Sequence, residues 1–247
     1  IFYILINMDK KLFVQTIDSF YLNGLTSQVK LTVKNNQVHI KFATDNKDCI
    51  GEISAPIELE DCEIGIYNTG QLLKLLGITN EYIELNLTKQ GGHFLRLNVS
   101  DNQFDLVYNL SDLGLIQDPS VIANLPLHDL EFDINFDFCQ KLVKAHNALD
   151  KPPRLEIGVG KDFQGQEVIE FIIGEKSSYS NKVNFSEPGT ITNVIKSLPF
   201  SAVNLREIVS VSKSAKGKAY VFKDGLMKIQ LEEDGIKSEY YLVAFSE

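Results

Sequence analysis

The sequence EIGIYNTGQLLKLL, residues 63–76, is matched by KSLPFSAVNLREIV at residues 196–209. Each copy predicts a short strand ending in an aromatic residue, then a polar N-cap, then a short apolar helix. The aligned pairs are Tyr67 with Phe200, Asn68 with Ser201, Leu72 with Leu205, Leu75 with Ile208 and Leu76 with Val209. A pattern that recurs in register indicates an internal duplication and a pseudo-symmetric assembly.

Helices and groups of three strands alternate along the whole chain. Apolar spacing predicts a first helix over residues 9–22, stopped by Asn23-Gly24, and a third helix marked by Phe138, Leu142 and Leu149, with Asn135 as its N-cap. The predicted strands cover residues 28–34, 37–43, 48–54, 62–67, 82–88, 93–99, 103–108, 130–134, 154–159, 167–173, 178–185, 218–222, 226–231 and 239–245. Because hairpin turns dominate, the sequence predicts an α+β fold with helices on one face of mostly antiparallel sheets.

The repeated order divides the 247 residues into two domains of similar plan. The predicted boundaries are an N-terminal domain at residues 8–117, a connector at 118–129 and a C-terminal domain at 130–247. The connector contains two prolines and no strong periodicity, which is typical of an extended linker. Met8 is the first methionine, so residues 1–7 are interpreted as an extension upstream of the start.

Composition argues against several classes of protein. Three widely spaced cysteines argue against a disulfide scaffold or a zinc site and for a reducing compartment. No apolar run approaches the ~18 to 20 residues that a membrane-spanning helix needs. We therefore expect a cytoplasmic protein that has no contact with membranes; if the protein is viral, the compartment is the host cytoplasm.

Catalytic motifs are incomplete wherever they begin. Gly158-Val159-Gly160 lacks the Gly-Lys-Ser/Thr of a phosphate-binding loop. The Ser-x-x-Lys at Ser210–Lys213 lacks the companion elements of acyl-transferring serine enzymes. The four histidines show no ligand spacing with each other or with the cysteines. The sequence therefore predicts neither an enzyme nor a cofactor or metal site.

Charge is unevenly distributed on this acidic chain, whose net charge is −9. Residues 101–137 contain eight acids and no Lys or Arg, whereas residues 204–223 contain five bases and one acid. Every predicted helix also has a base opposite its apolar side. The candidate DNA-contacting bases are Lys10, Lys11, Lys74, Lys141, Lys144, Arg206, Lys213 and Lys216. Side by side, such faces would follow a phosphate backbone without reading its sequence; the alternative is that lysine simply favours a solvated helix face.

Two segments carry a resemblance to a known family. DCEIGIYN at residues 61–68, followed by LLKLL at 72–76, resembles the strand-to-second-helix segment of the DNA sliding clamp of T-even-like bacteriophages. The segment from Asp234-Gly235 through YYLVAF at 240–245 resembles that clamp's last strand and tail. The ending is also similar to the Tyr-Tyr-Leu-Ala-Pro tail of proliferating-cell nuclear antigen (PCNA), although Val243-Ala244-Phe245 stands here. In layout the resemblance covers residues 8–247.

The resemblance implies two DNA-clamp domains, each of two helix-plus-three-strand units, in a homotrimeric ring around duplex DNA. It implies a non-enzymatic processivity factor in a virus-like replisome. Its implied protein partners are a DNA polymerase, which the clamp tethers, and a clamp loader. Subunits would pair through edge strands 103–108 and 178–185, with Asp105 and Lys182 as an added charge pair. The residues implied for binding a partner peptide are Val121, Ile122 and Leu125 in the connector and Leu242, Val243 and Phe245 in the tail.

Two other functions remain open from the residues. A processivity factor that binds DNA without forming a ring would need a denser basic patch than this chain shows. A β-rich structural or virion protein would use the repeat for packing alone, with buried helices and scattered lysines. The connector aliphatics also have an alternative role, which is to pin the connector to the sheets.

Overall fold

The structure of the protein is a computed structural model that describes residues 6–120, 122, 125–150, 152–174, 180–212 and 214–245, and only the backbone of residues 6–8. Its helices are α1 (Lys10–Tyr21), α2 (Thr69–Gly77), α3 (Phe136–Asn147) and α4 (Ala202–Val211). Its strands are β1 (Ile6–Asp9), β2 (Val29–Lys34), β3 (Gln37–Ala43), β4 (Cys49–Pro56), β5 (Cys62–Ile66), β6 (Tyr82–Gln90), β7 (His93–Ser100), β8 (Asp105–Asn109), β9 (Leu130–Ile134), β10 (Arg154–Lys161), β11 (Glu167–Gly174), β12 (Lys182–Glu187), β13 (Thr190–Ile191), β14 (Leu198–Ser201), β15 (Lys216–Phe222), β16 (Leu226–Glu233) and β17 (Ile236–Val243). Short 3-10 turns lie at Leu22–Gly24 and Leu113–Leu115.

The chain forms two compact units. The first contains the residues up to Asp45 together with Gly51–Ser120 and Asp234–Lys237; the second contains Asn46–Ile50, Val121–Glu233 and the residues from Ser238 onward. A strand, a helix and three strands follow one another four times in the chain, twice in each half. The α+β fold and the antiparallel sheets predicted from the sequence are confirmed.

In each unit, the strand that precedes a helix pairs with the first strand that follows the other helix. In the first unit β1 pairs with β6, and β5 pairs with β2. In the second unit β9 pairs with β15, and β14 pairs with β10. The resulting strand orders include β1-β6-β7-β8 and β12-β11-β10-β14. Each helix-plus-three-strand repeat therefore completes the sheet of its neighbour, so a single repeat cannot fold by itself into a closed core.

Side-chain caps fix the start of all four helices. Asp9 accepts a hydrogen bond from the Lys11 amide, and Asn68 accepts one from the Gln71 amide. Asn135 caps α3 through the Phe138 amide, and Ser201 caps α4 through the Asn204 amide. These bonds satisfy amides that have no partner inside a helix. The caps predicted at Asn68, Asn135 and Ser201 are confirmed.

The hairpin turns also agree with the sequence. Asn35 and Asn36 have φ of 50° and 58°, and the Asp234–Gly235 turn has φ of 50° and 82°. Consecutive left-handed residues make the tight turn whose twist matches that of paired strands, and Asn, Asp and Gly adopt this conformation at least cost. Each turn thus sets the register of its hairpin.

The helices bury their apolar sides within their own unit. In the first unit α1 packs on α2, with Phe13, Phe20 and Leu72 almost fully buried. In the second unit α3 packs on α4, and the Phe138 ring lies 5.4 Å from that of Phe171. Because α2 and α3 each have one buried side, their lysines Lys74, Lys141 and Lys144 are exposed on the opposite side.

The structure corrects several element boundaries. The strand predicted at 178–185 lies at Lys182–Glu187, and residues 178 and 179 are outside the described residues. The last strand lies at Ile236–Val243, three residues earlier than its predicted start, because Asp234-Gly235 forms a two-residue turn. Two strands were not predicted: β13, and β1, whose Ile6 and Asn7 belong to the segment interpreted as an extension.

The aromatic residues of the duplicated pattern differ in environment. Phe200 is fully buried, whereas Tyr67 is 49% exposed and stacks on Tyr108 with the ring centroids 5.8 Å apart. The Asn68 amide donates a hydrogen bond of 3.0 Å to the Tyr108 hydroxyl, and burial raises the pKa of Tyr108. The match of Tyr67 with Phe200 in the sequence is therefore a match of position and not of packing.

Candidate nucleic-acid interface

The predicted DNA-contacting lysines of the first unit differ in whether they have a hydrogen-bond or ion-pair partner. Lys10 is half-buried, and its ammonium group donates to the Thr79 carbonyl, just beyond the end of α2. Lys11 lies 3.1 Å from Asp234, and hydrogen bonds from Lys11 and Gln15 lower the pKa of the Asp234 carboxyl. Lys74 is exposed on α2, with no hydrogen bond or ion pair to the described residues. Of these three predicted bases, Lys74 presents the least compensated charge.

The second unit shows the same division. Lys141 Nζ lies 2.8 Å from a carboxylate oxygen of Glu187, which is largely buried. Lys144 is exposed, and its only hydrogen bond to a described residue is a 3.4 Å contact with Gln140, a neutral side chain. Lys216 is exposed at the start of β15. Lys213 lies outside the described residues. Lys144 and Lys216 therefore have no acidic partner among the described residues and are accessible to a ligand.

Arg206 lies where α4 packs against α3 and differs from an open helix-face base. Its guanidinium pairs with the buried carboxylate of Glu207, the next residue in the chain. Its Nε and the Nε2 of the neighbouring His146 are buried without a hydrogen-bond partner among the described residues. The Glu207 carboxylate therefore neutralises much of the charge of Arg206. Arg206 is a weaker phosphate ligand than its position in the sequence suggested.

Burial lowers the pKa of His146 below its usual value of 6.5, and the nearby Arg206 guanidinium lowers it further. Glu207 and hydrogen bonding by Asn147 and Pro152 act in the opposite direction without reversing the shift. The folded protein therefore favours the neutral imidazole, and only this form suits a site that already holds a guanidinium.

This shift predicts a pH-dependent loss of stability. As the pH falls below about 6.5, the unfolded chain takes up a proton at His146 before the folded chain does, so the folded state loses stability. We expect the urea midpoint to fall between about pH 7.5 and 5.5, and to fall less in His146→Gln. His39→Gln, at an exposed position, is the matched control. Parallel pH profiles for the parent and His146→Gln would contradict this assignment.

Two of the terminal strands, β8 and β12, overlap the edge strands predicted for the subunit contact. β8 is the last strand of the β1-β6-β7-β8 order, and β12 is the first of β12-β11-β10-β14. Val107 on β8 is 53% exposed, and Asp105 and Lys182 are exposed on the two edges. An open edge has unpaired backbone donors and acceptors and is a template for a further strand.

The residues predicted to bind a partner peptide lie at different depths. Leu242 is fully buried, so its side chain belongs to the core and not to a peptide-binding surface. Val243 and Phe245 are 46% and 37% exposed, and the Phe245 amide donates to the Pro199 carbonyl at 2.8 Å. Ile122 and Leu125 are half-buried, and Val121 lies outside the described residues.

Both ends of the predicted connector are anchored. Asp118 lies 2.9 Å from Lys30 in the first unit. In the second unit Asp129 is 3% exposed and accepts hydrogen bonds from the Asn193 side chain and the Lys223 amide, at 2.8 and 2.7 Å. The His128 ring packs against the Tyr220 ring at an angle of 57°, with the ring centroids 5.0 Å apart. These contacts fix the chain on either side of the exposed Leu127.

The described residues contain no cluster of His, Cys, Asp and Glu that could hold a metal ion. Burial raises the pKa of the Cys62 thiol to about 12 and that of the Cys139 thiol to about 11, so both are protonated at neutral pH. Within the same described part, no helix has the length and apolar character needed to cross a membrane.

Comparison with solved structures identifies the fold. A structure of A. fulgidus PCNA with the C-terminal region of FEN-1 has a TM-score of 0.75 and 13% identity, and the match covers 99% of both chains. PCNA from Entamoeba histolytica has a TM-score of 0.75 and 14% identity, again over 99% of both chains. The PCNA2–PCNA3 complex of Sulfolobus tokodaii has a TM-score of 0.70 and 10% identity, over 99% of this chain and 100% of the other.

This chain therefore has the fold of PCNA-type sliding clamps along essentially its whole length. No protein-family model matches the sequence, and no curated protein is similar to it in sequence.

Sequence reasoning missed the acids that neutralise the predicted bases. Glu187 and Asp234 lie 46 and 223 residues from Lys141 and Lys11. No local pattern signals such a pair, because it depends on which strands and turns the fold brings beside each helix.

Proposed function

We propose that this protein is a sliding clamp, a ring that encircles duplex DNA and tethers a DNA polymerase to raise its processivity. The observation that carries the proposal is the likeness to PCNA over 99% of both chains, which includes all four helix-plus-three-strand repeats. In this proposal residues 8–117 and 130–247 are the two clamp domains, and residues 118–129 connect them.

The charges of the helices support the proposal. Lys74 in the first unit and Lys144 in the second are exposed and have no acidic partner among the described residues. A lining with a few free bases attracts phosphates without holding them tightly, which suits a protein that must move along DNA. Lys10, Lys11, Lys141 and Arg206 contribute a weaker field, because each has a partner among the described residues. Lys216 is exposed on β15 and adds to the free bases, and Lys213 remains a predicted member of the set.

A homotrimer is the assembly we propose. An open edge in each unit, β8 in the first and β12 in the second, allows one chain to pair head to tail with the next. Such heterologous contacts form a closed ring when the rotation between neighbours closes. Asp105 and Lys182 would add an opposite-charge pair across this contact.

The proposed protein partners are a DNA polymerase and a clamp loader. The C-terminal region of FEN-1 is bound to the A. fulgidus PCNA, and the S. tokodaii structure is a complex of PCNA2 and PCNA3. By analogy, a partner peptide would contact Ile122, Leu125, Val243 and Phe245, while Val121 remains a predicted contact. A non-enzymatic role in a viral replisome within the host cytoplasm remains a prediction; the solved structures named above are not from bacteriophages.

A threading assay tests the proposed function without needing the loader. A linear duplex is tethered to a bead by one end, incubated with protein and then capped at its free end before a high-salt wash. A ring is retained by topology on the capped DNA, whereas a protein bound only by charge is removed by salt.

A further inference from the structure

The first unit contains a pocket of about 670 Å³. It is part neither of the proposed DNA-contacting helix faces nor of the peptide site proposed at the connector and tail. It lies between β5, the β6–β7 turn and the segment that follows β8, and all of its walls belong to the first unit. This volume is within the range of pockets that hold a small ligand.

The floor and walls of the pocket are largely apolar. Ile64 is almost fully buried, Leu110 and Leu113 are half-buried, and Leu95 is 42% exposed. Leucine side chains that line a concave surface and remain in contact with water gain free energy when an apolar group covers them. The pocket therefore has room for a large aliphatic or aromatic side chain of a bound segment.

Backbone groups beside the pocket are available for pairing. The Ser111 amide donates to the Gly65 carbonyl at 2.8 Å, so the polar groups of Gly65 point away from β2. Because backbone groups alternate along a strand, the N–H and C=O of Glu63, two residues earlier, also point away from β2. After Ser111 the chain turns into the Leu113–Leu115 helix, so the backbone of Glu63 has no partner there. An extended peptide can continue this edge by strand addition.

The charge of the pocket selects the flanking residues of that peptide. Glu63 and Asp112 are exposed at its rim, and none of its lining residues is Lys or Arg. One oxygen of Asp112 accepts the Gly114 amide at 2.8 Å, so the other remains open. Lys89 is not a lining residue, but its Nζ lies 4.9 Å from the ring centroid of Phe94, which is one. Opposite charges at a rim steer and orient a partner.

We propose that this pocket docks an extended peptide segment of a partner protein, with an apolar side chain in the pocket and Lys or Arg beside Glu63 and Asp112. The proposal does not depend on DNA binding or on a ring. The site is separate from the peptide site proposed at the connector and tail, so one chain would hold two partner segments at once.

The test measures binding of fluorescein-labelled Thr-Lys-Thr-Phe-Thr-Lys-Thr to the full chain. This probe places Lys, Phe and Lys on one face of a strand, and Thr-Glu-Thr-Phe-Thr-Glu-Thr is its charge-reversed control. We expect saturable binding with a Kd of about 10 to 100 μM, and binding of the acidic probe at least about tenfold weaker. Methyl NMR signals of Leu95 and Leu113 should shift.

Glu63→Lys should weaken binding of the basic probe about tenfold. Glu58→Lys, an equal charge change at another exposed acid of the same unit, should leave it unchanged. The proposal is overturned by no saturation up to about 1 mM, by equal binding of both probes, or by shifts at Leu125 and Val243 instead. Binding to a monomeric variant but not to the parent protein would assign the pocket to a subunit contact and also overturn the proposal.

Discussion

Replacing Val107 with proline is expected to convert the proposed trimer into monomers that remain folded. The Leu110 amide donates to the Leu95 carbonyl at 2.9 Å, so the amides of Leu110 and Tyr108 point toward β7. By alternation the Val107 amide points outward from the open edge. Proline at this position removes the outward-pointing donor but breaks no hydrogen bond between β8 and β7. Edge strands tolerate proline at such positions.

The effect should be large because the proposed ring repeats the contact. A lost backbone bond that leaves a buried carbonyl unpaired costs about 1 to 3 kcal/mol at each interface, and a trimeric ring has three. A single chain has a mass of 27.8 kDa. By light scattering at about 1 μM, we expect the parent to have the mass of three chains and Val107→Pro the mass of one.

Val107→Thr is the matched control, because threonine keeps the amide, the branched side chain and the preference for strands. It should remain trimeric. The urea midpoint of the Val107→Pro monomer should differ little from that of the parent, apart from the stabilisation that contact with neighbouring subunits provides. If Val107→Pro keeps the parent mass, β8 is not the subunit contact.

Reversing the charges of Lys74 and Lys144 together is expected to reduce threading onto duplex DNA at least about tenfold at physiological salt. These two side chains are exposed on α2 and α3 and have no acidic partner among the described residues. Substitution by glutamate replaces phosphate attraction with repulsion. The slope of log K against log salt should also become shallower, by about 0.9 for each phosphate contact that is lost.

The control for this variant carries the same net charge. Lys34→Glu with Lys237→Glu changes two exposed lysines that lie on strands β2 and β17. If threading depends on overall charge alone, both double variants will fall together, and the assignment of the helix faces to DNA will be wrong. Loss in the helix variant alone supports it.

The sequence determines the local features of this fold well. Asn68, Asn135 and Ser201 could be identified as caps because a cap bonds to an amide only three residues away. The turn at Asn35-Asn36 could be identified because these residues favour the required left-handed backbone. Apolar spacing likewise located α1 and the buried side of α2.

Long-range pairing was beyond the same reasoning. Nothing near β1 in the sequence indicates that it pairs with β6, since partner choice depends on how two repeats share their sheets. The candidate site shows the same limit. Lys10 looked like a free base until the fold placed the Thr79 carbonyl beside it, and Leu242 looked like a surface contact although it is fully buried. The pocket beside Glu63 joins three segments that are far apart in the sequence.

The threading assay tests the central claim, encirclement of DNA, most directly. We expect protein added before the end cap to survive a wash at about 0.5 M salt, and to be released when the duplex is cut between bead and cap. Protein added after the cap should wash away. Equal loss in both orders of addition would contradict the claim, because it would show binding by charge alone without a closed ring around the duplex.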